Sequence, residues 1–195
     1  MERVLLAMLI AAAALAGLPL LSTAPARAYS YAAAGAEPLL DGREALFAAV
    51  TAGNWDGAKT ALASMQAELD YLDQNEDKGV TAAFDTALAA KDPKAIMAAF
   101  DRAADDEIVR RLNGARDNLT DYQSAKVLVV KAQRFYTAVA GDLPPETGKT
   151  ISDALGQALD AIGNPGVFGV GARPADPAAY ATARAAILKA LGKTP

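Results

Sequence analysis

Asp101, Asp105, Asp106 and Glu107 fall within seven positions of one another, and Asp117, Asp121 and Tyr122 follow them. A spacing of four puts Asp101 and Asp105 on one face of a helix. Carboxylate and phenolate oxygens, with no nitrogen or sulfur among them, suit a hard cation such as ferric iron or calcium. Asp101, Asp105, Asp117, Asp121 and Tyr122 are therefore the candidate metal ligands, and the chemistry they imply is that of a carrier or buffer for such an ion. The same stretch brings its own counter-ions. Arg102, Arg110 and Arg111 are near enough in sequence to neutralise these carboxylates, which predicts a salt-bridged helix face open to solvent.

What the chain lacks narrows the chemistry further. Histidine and cysteine are both absent, which removes serine–histidine triads, cysteine nucleophiles, ordinary zinc and copper sites and histidine-ligated haem. Sugar hydrolysis by two carboxylates needs a cleft that is usually rich in aromatics, and the chain has a single tryptophan. Glu146-Thr147-Gly148-Lys149-Thr150 imitates the end of a phosphate-binding loop. Leu143 stands where that loop needs its first glycine, however, and a helix ending in two prolines stands where it needs a strand. Asp73, Asn75 and Asp77 alternate like the first ligands of a helix–loop–helix calcium site, but Lys78 occupies the place of the glycine and Phe84 that of the closing glutamate. No catalytic constellation is left, and beyond a hard cation no cofactor is implied.

A different signal comes from residues 163–174. This segment holds Gly163, Gly166, Gly169 and Gly171 with Pro165 and Pro174, yet also carries Val167, Phe168 and Val170. Glycines and prolines turn the chain, while three large apolar side chains want burial, so the pattern predicts an ordered loop pinned onto the body of the protein by Phe168. Ordered glycine loops are also common places of contact with other molecules. Val167, Phe168, Val170 and Arg173 are the candidate partner-binding residues.

Helices must position all of these groups. Apolar residues make up 52% of the chain but aromatics only 6%, so alanine, the strongest helix former, carries much of the apolar count. The periodicity predicts an all-α, single-domain bundle of six or seven helices built from αα-hairpins. In the first half, Leu46–Leu62 (LFAAVTAGNWDGAKTAL) aligns with Phe84–Phe100 (FDTALAAKDPKAIMAAF) at a constant offset of 38. The shared unit is helix, short turn with a capping residue, helix, and two such hairpins fill about 37–118. Residues 121–140 then form the helix expected to be central, with Ala125, Leu128, Val129, Ala132, Phe135, Tyr136 and Val139 on one face and Val127 and Val130 giving apolar surface to the other side. Two more helices, about 146–162 and 177–191, close the bundle.

Residues 1–28 stand apart. Arg3, the apolar run Val4–Leu21 and Ala26-Arg27-Ala28 have the layout of a secretory signal peptide cleaved near Ala28, leaving 29–195 as the bundle domain. Its loss takes away Arg3, Arg27 and Glu2, so that 19 basic and 23 acidic groups become 17 and 22, a net charge of −5. Without a basic stripe, nucleic acid is not an expected partner, and the failed phosphate loop argues against nucleotides. The expectation is a periplasmic or secreted, non-enzymatic binding or accessory protein of a membrane or envelope system, with a protein partner there. Membrane contact is expected only through the signal segment, if it is uncleaved. An iron- or calcium-binding protein is the alternative.

Overall fold

The computed structural model describes residues 37–194, so the proposed signal peptide lies outside the described residues. Among them the regular structure is helical: α1 (Pro38–Thr51), α2 (Trp55–Asn75), α3 (Val80–Ala90), α4 (Pro93–Asp117), α5 (Tyr122–Val139), a 3₁₀ turn (Ala140–Asp142), α6 (Pro145–Ala161) and α7 (Pro177–Ala190). Most starts were legible. Asn54, Asp92, Asp121 and Asp176 each place a side-chain oxygen on amides of the first turn, satisfying donors that have no partner within the helix. Pro38, Pro93, Pro145 and Pro177 open α1, α4, α6 and α7, where a missing N–H costs nothing.

The start of α3 is capped from outside its own turn. The carboxylate of Asp73 accepts from Gly79 N at 3.0 Å and Val80 N at 2.7 Å, while Asp77 pairs with Arg102. The two aspartates that resemble calcium ligands in sequence are thus occupied in holding the α2–α3 loop.

The sequence echo is also an echo of hydrogen bonds. At the end of α1, Asn54 N donates to Ala49 O and Gly53 N to Val50 O; at the end of α3, Asp92 N donates to Ala87 O and Lys91 N to Leu88 O. Each pair is related by the same offset of 38. Both are Schellman closures, in which the residue that ends one helix in the left-handed region precedes the one that caps the next. Gly53 takes that conformation at φ 68°, and Lys91 at φ 51°.

The helices pack against one another in a different order of importance from the one periodicity suggested. α4, not α5, is the hub: it meets α1, α2, α3, α5 and α7, whereas α5 lies mainly between α4 and α6. Alanines 99, 103, 104 and 115 are buried on α4, and short side chains at helix contacts allow close approach on several sides. On α5, Ala125, Leu128, Val129, Ala132, Phe135 and Val139 are buried as expected, but Val127 is only half-buried and Val130 is exposed. α7 docks on the hub through Tyr180, which is fully buried and donates its hydroxyl to Leu112 O at 2.8 Å. No helix among the described residues is long and apolar enough to cross a membrane.

Candidate functional site

The five candidate metal ligands are not brought together at one place. Asp101 and Asp105 do share a face of α4, and burial pushes Asp105 up to about 7, opposed by Lys193 and reinforced by Asp106 and Asp101. Asp101 is also raised, by burial and by Asp142, with Arg43 opposing. Asp117 lies three helical turns beyond Asp105, about 18 Å along the axis, and pairs with Arg116 at 2.8 Å. Asp121 caps α5 and takes a hydrogen bond from the Ser124 hydroxyl at 2.6 Å. Tyr122 presents its ring face to the Lys126 ammonium, 5.6 Å from the centroid. Among the described residues no three carboxylates are grouped so as to hold a metal ion.

The charged residues around them are not the exposed face that their mixing suggests. Asp106, Glu107 and Arg111 are buried, together with Glu37 and Lys131. Glu37, just before α1, reaches Arg111 on α4 at 2.6 Å and Lys131 on α5 at 2.6 Å. Arg111 also pairs with Glu107 at 3.1 Å, and Arg110 joins Glu107 at 2.7 Å to Glu68 on α2. Burial, and then the neighbouring Glu68, push Glu107 up to about 8 against the pull of the two guanidinium groups. A second group forms where Lys193 meets Asp106 at 2.6 Å and Asp77 at 3.3 Å. In the Glu37–Arg111–Lys131 group, where all three side chains are buried, removing one member costs several kcal/mol, about 3–5, because the remaining charge has no water. These networks tie the N-terminal edge of α1 and the segment after α7 to the hub. A sequence signal existed: Glu107 and Arg111 fall in register with Ala104, Ile108 and Ala115, and Lys131 with Leu128 and Phe135. A charge at three- and four-residue spacing inside an apolar stripe is a charge with a buried partner.

The segment between α6 and α7 differs most from expectation. Residues 164–173 form a small antiparallel hairpin. At its base Asn164 and Arg173 exchange backbone hydrogen bonds of 2.8 and 2.7 Å, and near its tip Val167 and Val170 exchange bonds of 3.1 and 3.0 Å. The base is well fixed: Arg173 Nη2 donates to Asp160 O at 3.0 Å, Gly166 N to Asn164 Oδ1 at 2.9 Å, and Asp176 N to Ala161 O at 2.8 Å. Gly163 (φ 82°) and Gly166 (φ 73°) make the construction possible, since a Cβ would lie 2.4 Å from Arg173 O at the first and 2.5 Å from Val170 O at the second.

Phe168 does not pin this loop. It stands at the tip, 103% exposed, with Val167 at 73% and Val170 at 79%. The two central residues of the turn, Phe168 (φ 50°) and Gly169 (φ 82°), both have positive φ, as a type I′ hairpin requires. Closing the chain between Val167 and Val170 with two residues requires that turn, and the side chain of its first central residue stands outward. A trough of about 790 Å³ runs beside the base, lined in part by Gln157, Asp160, Arg173, Asp176 and Thr182. Val167, Phe168, Val170 and Arg173 are thus brought together on one projecting element, the apolar residues at its tip and Arg173 at its base. No known protein family, curated protein or solved structure matches the chain.

Proposed function

We propose that this is an exported, non-enzymatic accessory protein of a membrane or envelope system, delivered by the segment 1–28 and cleaved near Ala28, whose binding element is the hairpin 164–173. One observation carries the reading. Phe168 occupies a left-handed backbone position that costs a bulky residue about 1 kcal/mol or more, and there it exposes its whole ring. Asparagine or glycine would fit the turn better on both counts. Strain and exposed apolar surface at one residue have no use within the fold, and they coincide at sites of contact with other molecules. The glycines and the bonded base hold that residue in a fixed direction, which limits the ordering cost of binding.

Cell fractionation tests the proposal. The wild-type chain should be recovered outside the cytoplasm in association with the envelope, and Phe168→Asp should be released into the soluble fraction while keeping the wild-type melting midpoint. A cytoplasmic location, or an association that Phe168→Asp leaves unchanged, would overturn it.

A further inference from the structure

We infer that the hairpin tip inserts into the interfacial layer of a lipid bilayer, with Phe168, Val167 and Val170 entering the acyl boundary and Arg173 remaining at the level of the phosphates. The inference rests on the reading of this hairpin as the binding element and names what it binds.

Four features favour lipid over a protein surface. Residues 161–172 contain no charged side chain, and the next residue is Arg173. Four positions separate the base pair from the tip, a reach of at most roughly 13 Å in extended chain that the left-handed turns at Gly166 (φ 73°) and Gly171 (φ 75°) shorten, and interfacial segments enter the headgroup boundary by only about 5–10 Å. The tip takes part of its hydrogen bonding with it, because Val167 and Val170 satisfy each other, as backbone entering an apolar phase requires. Finally, the surface offered is small and isolated. Among the described residues the exposed large apolar side chains are Met97, Val130, Val167, Phe168 and Val170, so the three on the hairpin have only two companions, on α4 and α5. Three side chains bury on the order of 400 Å², against about 800 Å² per partner in a stable protein interface. A bilayer needs no complementary rim.

The net charge of the chain, −4 in full and −5 without residues 1–28, excludes attraction to anionic lipid as the driving force. Insertion should therefore occur on zwitterionic vesicles and persist in high salt. A single short apolar tip gives weak, reversible binding, in the range of one acyl chain.

The test uses the full chain with Trp55→Phe, so that the native indole is silent, and Phe168→Trp as the reporter. Phosphatidylcholine vesicles with brominated acyl chains should quench the indole introduced at position 168 and shift its emission to the blue, equally at 0.1 and 0.5 M salt. An indole introduced by Val130→Trp on α5 should remain unquenched. Position-specific quenching separates the tip from any affinity of residues 1–28, which both reporters share. In vesicle sedimentation Phe168→Asp should lower the tip-dependent fraction of binding on the order of tenfold or more. No quenching at position 168, or equal quenching at positions 168 and 130, would overturn the inference. If quenching is absent but a photo-crosslinker at position 168 yields an envelope-protein adduct, lipid insertion fails and the accessory role stands. If neither occurs, both fail.

Discussion

Phe168 holds a conformation that asparagine adopts more easily, so Phe168→Asn should leave the protein as stable or raise its unfolding free energy by about 0.5–1 kcal/mol. Denaturant unfolding would read the gain, and the same variant should lose envelope association. A stabilised but inactive protein is the signature of a residue kept for contact rather than for folding. Asp105 makes the opposite case, a group whose charge the fold resists. Its carboxyl has an ordinary value of 3.8 and rises to about 7 in the fold, chiefly through burial. The folded state therefore holds a proton that the unfolded state releases, and stability falls as pH climbs from about 4 to 7. Asp105→Asn should reduce that slope, with Glu107, also raised, supplying what remains, and should gain on the order of 1–2 kcal/mol at pH 8 and almost nothing at pH 4 in urea melts at the two values. Neither behaviour was legible in the sequence. Large apolar side chains usually seek burial, so the sequence alone points Phe168 inward, and the turn that directs it outward arises only when Val167 and Val170 pair. Asp105 resembles its neighbours in sequence, and what separates it from Asp121 is depth, which a helical period does not specify.

The paired hairpins were the most legible elements, since capping residues and prolines act locally. Asn54 and Asp92, 38 positions apart, were identifiable as caps without any tertiary information, and both bond as caps. The two copies differ at one informative place. Gly53 accepts its left-handed position freely, whereas the equivalent Lys91 bears a Cβ there. Lys91→Gly should stabilise the protein by about 0.5–1 kcal/mol, and Gly53→Ala should destabilise it by about 1 kcal/mol. Thermal melts of both variants check the pair, and a loss of stability on Lys91→Gly would mean that the two turns are not equivalent. Helix rank was less legible. The apolar flank of α5 drew attention to itself, while α4 conceals its centrality behind alanines and charges, because a hub crowded by neighbours needs small side chains and pairs its ions internally.

For the molecule as a whole, class and helix order followed from composition and period, but the joining of distant parts did not. The candidate cation set shows why: Asp101 and Asp105 are adjacent, yet Asp117, Asp121 and Tyr122 each have local work as ion-pair, cap or ring partner. Calcium or ferric ion titrated into the metal-stripped protein should give no saturable rise in the melting midpoint, since only binding to the folded form produces one. A saturable rise lost in Asp101→Ala would restore the carrier reading. The ion pairs that do cross the molecule span long stretches of chain. Glu37 meets Arg111 across 74 positions, and Lys193 meets Asp77 across 116. Closing such loops comes late, after the entropy of the intervening chain has been lost. Until Arg111 and Lys131 have joined the fold, the carboxylate of Glu37 has neither of these buried cations beside it, although α1 can already pack on α2. The buried ions thereby reward completion of the fold: a chain that stops short of α5 leaves in water a carboxylate that the finished protein seals away.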